Sequence, residues 1–154
     1  MRYLVDIPEK NDAALNLATE EYIVRNLDIQ HDYILLYFNQ PTVVIGRHQN
    51  IYEEVNLPYT IRQKIPVYRR ISGGGTVYHD PGNLNFSFIT RYEKFKFNNY
   101  RYFNAPIIEF LNQMGVPARH SDRNDMLIHD KMFSLNAQFT TRDRMHSHGT
   151  LLYC

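Results

Sequence analysis

The sequence predicts an α/β protein of the α+β kind, built on a mixed, largely antiparallel sheet with helices on one side. Strand-like segments outnumber helix-like segments and do not alternate regularly with them, which disfavours a doubly wound nucleotide-binding fold. The 154 residues contain no internal repeat, low-complexity tract or linker rich in proline, glycine and serine. We therefore expect one continuous domain.

The first helix is predicted over residues 12–26. Asp12 is a favourable cap, because its carboxylate accepts hydrogen bonds from the first turn of a helix. Apolar residues recur at helical spacing in this segment, at Ala14, Leu15, Ala18 and Tyr22. This combination of cap and periodicity predicts an amphipathic helix.

The second helix is predicted to open at Asn104 and Pro106 and to end at Gly115. Proline is favoured in the first turn of a helix and glycine just beyond the last turn. The apolar residues between them form one stripe, which we expect to face the core: Ile107, Ile108, Leu111 and Met114.

Seven segments rich in β-branched and aromatic residues, separated by proline, glycine, asparagine or aspartate, predict strands. They are residues 33–38, 42–46, 65–70, 84–89, 126–128, 132–139 and 148–153. In the fourth segment, Leu84, Phe86 and Phe88 alternate with Asn85 and Ser87. The alternation predicts one face in the core and one face toward solvent or a ligand.

Charge and apolar content exclude several classes of protein. Seventeen Lys and Arg residues balance 16 Asp and Glu residues, with no long basic run, which argues against nucleic acid as a partner. The apolar runs are strand-sized and no basic-then-apolar signal opens the chain, so we expect a cytoplasmic protein without a membrane partner. Cys154 is the single cysteine and has no internal disulfide partner.

The most informative local feature is the segment 69–79, where Arg69 and Arg70 are followed by Ser72 and three consecutive glycines. Glycines let backbone N–H groups approach an anion, and arginines add charge-assisted hydrogen bonds. It is not a Walker A loop, because no Gly-Lys-Ser/Thr follows. A plain hairpin turn is the alternative. The arginines and Ser72 favour a phosphate or carboxylate site.

Three further groups have weaker signals. Asn83 follows Asp80 in a turn and is either a polar contact or a turn residue. The stretch 123–125 could present an amide and a carboxylate to a nucleotide or Mg²⁺, or could simply precede a strand. His146 and His148 would lie on one side of a strand, as two metal ligands would, but no third ligand has a persuasive spacing.

Five segments, in order along nearly the whole chain, resemble those of lipoate-protein ligases. They are PTVVIGRHQNIYEEVN (41–56), RRISGGGTVYHDPGNLNFSF (69–88), RNDMLI (123–128), SLNAQ (134–138) and HGTLLY (148–153). The resemblance implies the biotin/lipoate-ligase catalytic-domain fold and a two-step reaction. Lipoate and MgATP give lipoyl-AMP and pyrophosphate, and the lipoyl group then passes to a lysine of an acceptor domain.

The resemblance also implies the nucleotide-binding residues. The loop that would enclose lipoyl-AMP is matched by Arg70, Ser72, Gly73, Gly74, Gly75, Val77, Tyr78 and His79, with Asn83 beside it. Asn124 and Asp125 match a pair near the adenylate, with Asp125 as the implied contact to the Mg²⁺ that accompanies ATP. Gly149 and Thr150 match the strand that lines the same pocket.

The chain departs from the family pattern at four positions. Met132 occupies the place of the catalytic lysine, and the adjacent Lys131 would substitute for it only if a bulge shifted the strand register. Leu135 replaces a small glycine. Asp122 replaces the glycine before the Arg-Asn-Asp stretch, and Ser147 replaces a histidine.

The length also departs from the family pattern. The family's catalytic domain continues past the HGTLLY segment and is usually followed by an accessory domain. The resemblance therefore implies that residues 1–154 form one partial catalytic domain, truncated at its C-terminus and without the accessory domain. The expectation is a fragment, a subunit completed by a partner, or a decaying reading frame.

Three functions are weighed on these grounds. The first is a lipoate-protein ligase whose acceptors are lipoyl domains of 2-oxoacid dehydrogenases or the glycine-cleavage H protein. The second is a non-catalytic module that binds lipoyl-AMP, which Met132 favours. The third is a lipoyl or octanoyl transferase that works through a cysteine thioester, for which Cys154 is the available thiol.

Overall fold

The computed structural model describes residues 1–5, 11–121 and 125–152. Four helices are seen in this part of the chain: α1 (Ala13–Asn26), α2 (Ile51–Glu54), α3 (Leu57–Arg62) and α4 (Tyr100–Gln113). The strands are β1 (Arg2–Val5), β2 (Asp32–Tyr37), β3 (Thr42–Ile45), β4 (Val67–Arg69), β5 (Val77–His79), β6 (Asn83–Arg91), β7 (Ala118–His120), β8 (Met126–Ile128), β9 (Lys131–Met132), β10 (Ser134–Thr140) and β11 (Arg144–Leu152).

The strands form three sheets. The central sheet has the order β1-β2-β6-β11-β10, in which β1 is parallel to β2 and the other neighbours are antiparallel. A second sheet has the order β4-β3-β5, with β4 parallel and β5 antiparallel to β3. The third, β7-β8-β9, is antiparallel. The prediction of a mixed, largely antiparallel architecture is confirmed.

The helix α1 has the predicted bounds and the predicted cap, since the Asp12 carboxylate accepts from the N–H groups of Ala14 and Leu15. The side of the helix that is buried differs from the predicted apolar stripe. Leu15 and Tyr22 are exposed, whereas Asn16 and Glu20 are buried. The first half of α1 therefore packs a polar surface onto the sheet, and Ile23 and Val24 follow it into the apolar core.

The helix α4 begins four residues before the predicted start. The side chain of Asn99 accepts from the N–H of Tyr102, so Asn99 is the cap and Pro106 lies inside the helix. Gly115 follows the helix end as predicted, with a positive φ of 84°. Phe103 is buried on the helix, whereas Met114, predicted in the core-facing stripe, is 65% exposed.

The two long helices lie on opposite faces of the central sheet. On β6, Ile89 belongs to the core cluster that contains Ile23 and Val24 of α1. The neighbouring Phe88 contacts Phe103 of α4, with ring centroids 6.1 Å apart. Because successive side chains of a strand point to opposite faces, α1 and α4 cover different faces. The expectation of helices on one side is corrected in this respect.

Most predicted strands are present with shifted ends. The last strand begins at Arg144 rather than His148, and β9 and β10 replace one predicted strand. The strands β1, β5 and β7, each three or four residues long, were not predicted. The glycine segment is not a hairpin, since β4 and β5 each pair with β3 instead of with each other.

None of the helices in the described ranges is both long enough and apolar enough to cross a membrane.

Candidate active site

A cavity of about 140 Å³ lies between the glycine loop, residues 70–76, and the strands of the central sheet. Residues from the loop, from β5 and from β10 and β11 meet there, together with one leucine of α1. The lining residues are Leu17, Tyr37, Val44, Arg70, Gly74, Gly75, Thr76, Val77, His79, Asn85, Leu135, Asn136, Ala137, His148, Gly149 and Thr150.

Arg70 organises the glycine loop from within. Its Nη2 donates to the carbonyl oxygens of Gly73 and Gly75, each at 2.7 Å. Its Nε donates to the Ser72 hydroxyl at 3.1 Å, and its Nη1 donates to the Val44 carbonyl at 3.2 Å. The side chain is buried, with the whole residue 7% exposed. Arg70 therefore holds the loop backbone in place and lines the cavity while it does so.

Arg69 ties the same loop to the segment that follows β3. Its Nη1 donates to the carbonyls of Gly46 and Gln49, each at 2.8 Å, and to that of Arg47 at 3.1 Å. The N–H of Arg47 in turn donates to the Ser72 carbonyl at 2.9 Å. Both arginines that suggested an anion site are thus engaged with carbonyl oxygens, and they shape the loop.

The backbone N–H groups of the loop are available as hydrogen-bond donors to a ligand, whereas the arginines donate to carbonyl oxygens of the protein. Gly74 has a positive φ of 91°, and a Cβ there would lie 2.9 Å from Nη2 of Arg70. Within the described ranges, the N–H groups of Gly73, Gly74 and Gly75 donate no hydrogen bond. Consecutive free N–H groups in such a loop are typical of sites that bind phosphate or carboxylate.

The opposite wall is formed by β11, where Gly149 and Thr150 line the cavity. A Cβ on Gly149 would lie 2.5 Å from the Leu135 carbonyl and 2.7 Å from Cζ of Phe86. Only glycine fits between these neighbours. Leu135, which by the resemblance stands where the family has a glycine, also lines the cavity.

Two buried polar atoms at the cavity have no hydrogen-bond partner among the residues that the structure describes. They are Nε2 of His79 and Oγ1 of Thr150. Both residues are more than nine-tenths buried, at 5% and 6% exposure. A buried polar atom without a hydrogen bond lowers the stability of the folded protein. These two atoms therefore indicate that the cavity binds a polar ligand.

The protonation of His79 is set by burial. Burial, followed by the positive charge of Arg70, lowers the pKa of His79 to about 4. At neutral pH the imidazole is therefore uncharged, and one of its two nitrogens has a proton.

A buried polar network lies behind the loop. The Ser72 hydroxyl is 2.6 Å from Nε2 of His148. The His148 ring stacks on His146, with centroids 4.6 Å apart and an interplanar angle of 18°. Nε2 of His146 lies 2.8 Å from the Ser87 hydroxyl and 3.6 Å from a carboxylate oxygen of Glu20. The network therefore joins α1 and the central sheet to the loop.

The charges of this network follow from its burial. Burial alone would raise the pKa of Glu20, but the charge and hydrogen bonding of His146, with smaller contributions from His148 and Tyr37, lower it to about 2. Burial, then the charge of His146, lowers the pKa of His148 to about 3. An ionised carboxylate and a neutral His148 thus lie side by side at neutral pH.

Glu20, His146 and His148 have ligand atoms within 4.8 Å of one another, close enough for a metal. The sequence placed the two histidines on one side of a strand, and Glu20 of α1 supplies the acidic third group. The rings are stacked face to face and their Nε2 atoms lie beside serine hydroxyls. A metal lies near the plane of each imidazole that binds it. The stacked rings and the serine contacts therefore favour a hydrogen-bond network at this cluster over a metal site.

Several predicted residues lie away from the cavity. Tyr78 is 48% exposed, and Asn83 closes the turn after β5 by donating from Nδ2 to the Tyr78 carbonyl at 2.8 Å. The N–H of Asp125 donates to the Ser121 hydroxyl at 3.0 Å. Asp125 does not line the cavity. Asn124, with Asp122 and Arg123, lies outside the described residues.

Lys131 and Met132 form the exposed strand β9, where they pair with Ile128 and Leu127 of β8. Met132 is 50% exposed. Neither residue lines the cavity, so no bulge brings Lys131 into it.

Sequence reasoning missed Tyr37, Val44 and the Asn39 side chain that contacts His79. One signal did point to the site. The polar residues of the alternating segment 84–89 were expected to face solvent or a ligand, and Asn85 lines the cavity. Ser87 on the same face contacts His146.

Comparison with known proteins identifies the class. Residues 12–154 match the lipoyl protein ligase A/B catalytic domain. The chain belongs to this family.

Two curated relatives are ligases. The chain is 49% identical over 149 residues to "Lipoate-protein ligase LplJ" of Bacillus subtilis, and 48% identical over 141 residues to "Lipoate--protein ligase 1" of Staphylococcus aureus. These matches cover 97% and 92% of this chain, but only 45% and 43% of the relatives. The chain thus spans less than half the length of either relative.

Solved structures share the fold. A lipoate-protein ligase A bound with ATP matches with a TM-score of 0.89 at 26% identity, over 97% of this chain and 65% of that one. A putative ligase from T. acidophilum with bound lipoic acid gives 0.86 at 26%, over 98% and 67%. A bi-partite ligase from Thermoplasma acidophilum, described with its E2 lipoyl domain, gives 0.88 at 30%, over 98% and 60%.

Proposed function

We propose that this chain is the lipoate-activating part of a lipoate-protein ligase. ATP and lipoate are the substrates. The lipoate carboxylate attacks the α-phosphorus of ATP, lipoyl-AMP forms, and pyrophosphate leaves. The ε-amine of an acceptor lysine then attacks the acyl carbon, an amide forms, and AMP leaves. The names of the relatives and the ligands of the solved neighbours support both substrates.

One observation carries the proposal. The glycine loop and the Gly149–Thr150 segment, which are 73 residues or more apart in sequence, enclose one cavity with unpaired donors on both walls. Lipoyl-AMP has an anionic phosphate joined to an apolar chain. The loop N–H groups fit the first, and apolar side chains such as Leu17 and Val77 fit the second.

The residues of this chain have distinct roles in the proposal. Loop N–H groups and the donors of His79 and Thr150 stabilise negative charge on the acyl-phosphate. Arg70 and Ser72 keep the loop in the shape that aims those groups at the cavity. Asp125 does not line the cavity itself, and its proposed role as the contact to the Mg²⁺ that accompanies ATP rests on its carboxylate, a group that Mg²⁺ prefers.

The second candidate is a homologue that binds lipoyl-AMP without making it. The observation in its favour is the position of Met132, which is exposed on β9 where the family pattern has its lysine. A methionine supplies no charge to the lipoate carboxylate or the α-phosphate.

The proposed acceptor is a lipoyl domain, either of a 2-oxoacid dehydrogenase or of the glycine-cleavage H protein. The Thermoplasma ligase and its E2 lipoyl domain support this class of acceptor. The bi-partite nature of that ligase also supports a partner subunit for this chain.

The test is single-turnover formation of lipoyl-AMP from radiolabelled lipoate and MgATP, with calorimetric binding of lipoyl-sulfamoyl-adenosine in parallel. This probe is a stable mimic of lipoyl-AMP. Formation of lipoyl-AMP supports the ligase. Binding of the probe without formation supports the second candidate and contradicts the first. Failure to bind the probe would contradict both.

A further inference from the structure

The cavity contains a histidine whose proton position follows from contacts outside the cavity. His79 lines the cavity, its Nε2 is buried without a hydrogen-bond partner among the described residues, and its other nitrogen, Nδ1, lies 2.9 Å from Nδ2 of Asn39. His79 is 5% exposed and Asn39 is fully buried. The orientation of the Asn39 amide therefore decides which ring nitrogen has the proton.

That orientation is fixed by Asn16 on α1. Nδ2 of Asn16 donates to the backbone carbonyl of Phe38 at 3.1 Å and to Oδ1 of Asn39 at 2.8 Å. A carbonyl oxygen can only accept, so the Phe38 carbonyl fixes the Asn16 amide as the donor. Oδ1 of Asn39 must then be the acceptor, which turns Nδ2 of Asn39 toward His79.

An amide NH₂ can only donate, so Nδ1 of His79 must accept and has no proton. The neutral ring then has its proton on Nε2, the buried nitrogen of this cavity-lining residue that has no partner among the described residues. We propose that Asn16 and Asn39 are positioning residues that hold His79 in the Nε2–H tautomer, so that it donates a hydrogen bond to an anionic oxygen of the ligand.

The identity of that ligand, the acyl-adenylate, rests on the proposed function. The tautomer of His79 rests on the hydrogen-bond geometry alone. The tautomer also defines the role of His79. The ring is a neutral hydrogen-bond donor rather than a general base, because the nitrogen without a proton is occupied by Asn39.

The first arm of the test needs no ligand, and it uses a variant only to assign a signal. In protein labelled with ¹⁵N-histidine, long-range ¹H–¹⁵N correlation at pH 7 distinguishes protonated from unprotonated ring nitrogens, and His79→Gln assigns the signal. We expect a protonated Nε2 and an unprotonated Nδ1. A proton on Nδ1, or a mixture of both tautomers, would overturn the proposal.

The second arm uses Asn39→Asp, which replaces the donor beside Nδ1 with an acceptor. We expect the proton of His79 to move to Nδ1, and affinity for lipoyl-sulfamoyl-adenosine to fall about ten- to a hundred-fold, the usual effect of losing a hydrogen bond to a charged group. The matched control, Gln40→Glu, adds the same charge at the neighbouring exposed position and should change neither.

The third arm uses rescue. A glutamine at position 79 places an amide N–H near the place of Nε2, so His79→Gln should bind the probe more tightly than His79→Leu. Equal weakening by the two variants, or an unchanged tautomer in a folded Asn39→Asp protein, would overturn the proposal. If the unmodified protein bound no probe, the proposed function would fail, while the tautomer would still be decided by the first arm.

Discussion

The glycine loop and the β8–β9 hairpin, residues 126–132, differ in how their charges are used. In the loop, Arg70 is 7% exposed and donates to three backbone carbonyls. In the hairpin, Asp130 forms an exposed ion pair with Arg119, and Lys131 is exposed. The loop is thus shaped by its own buried arginine, whereas the charged side chains of the hairpin are exposed. We therefore expect ligand binding to depend on the residues of the loop. We expect a change of charge in the hairpin to change the rate of the reaction.

The largest expected effect comes from changing the hairpin. Met132→Lys should raise the rate of lipoyl-AMP formation by about 10² to 10³, since one electrostatic contact to a developing charge is typically worth that much. Single-turnover kinetics with radiolabelled lipoate measure the change. Lys131→Met is the matched control and should leave the rate unchanged. An equal rate for the Met132→Lys and unmodified proteins would show that another feature, such as Leu135 in the cavity, limits the reaction.

The next effect concerns the loop. Arg70→Met should lower the free energy of unfolding by about 3 kcal/mol, because it leaves the buried carbonyl of Val44 and the part-buried carbonyls of Gly73 and Gly75 without this donor. Arg69→Met, at the exposed neighbour that also binds three carbonyls, should cost about 1 kcal/mol, since water replaces the lost donor. Urea unfolding of both variants measures the difference. Equal losses would contradict the organising role of Arg70.

The wall opposite the loop gives a smaller effect. Gly149→Ala should destabilise the protein by about 2 kcal/mol, because its methyl group would overlap the Leu135 carbonyl and Phe86. Gly73→Ala is the control, since a Cβ there meets nothing within 4 Å. Thermal unfolding measures both. A Gly149→Ala protein as stable as Gly73→Ala would mean that β10 and β11 can separate at no cost.

The same contrast explains how much of the fold could be predicted. Helix α1 has a strong local signal, and its bounds were predicted correctly. The buried face of α1 was not predicted correctly. Glu20 is buried on this face, where its carboxylate accepts a hydrogen bond from the Tyr37 hydroxyl at 3.0 Å, and Tyr37 lies 17 residues away in the sequence. Apolar periodicity assumes that a helix buries its apolar side, and here the sheet presents polar groups instead.

The site was predictable where its residues are local or match a family motif. The glycine segment and Gly149–Thr150 could be named from the sequence, and the structure brings them to one cavity. The role of Arg70 was not predictable, since nothing local shows that its donors face backbone carbonyls. Asn39 and Glu20 have no motif of their own, and only the tertiary contacts with His79 and His146 give them a role.

The last effect is the pH dependence of stability, which is small near neutral pH and depends on His79 in the wall of the cavity. Its pKa is about 4 in the folded protein against 6.5 in the unfolded chain, from burial and Arg70, with Glu20 and Asp80 opposing. Between pH 6.5 and 4, the unfolded chain therefore binds a proton that the folded protein does not. Stability falls as the pH is lowered through this range, by up to about 1.4 kcal/mol per pH unit for one histidine.

Urea unfolding at several pH values between 6.5 and 4 checks this. His79→Gln should reduce the slope of unfolding free energy against pH, whereas the exposed His48→Gln should leave it unchanged. The buried His148 adds to the slope in the same direction, because burial also lowers its pKa, to about 3. A slope that His79→Gln does not alter would mean that His79 gains its proton in the folded protein.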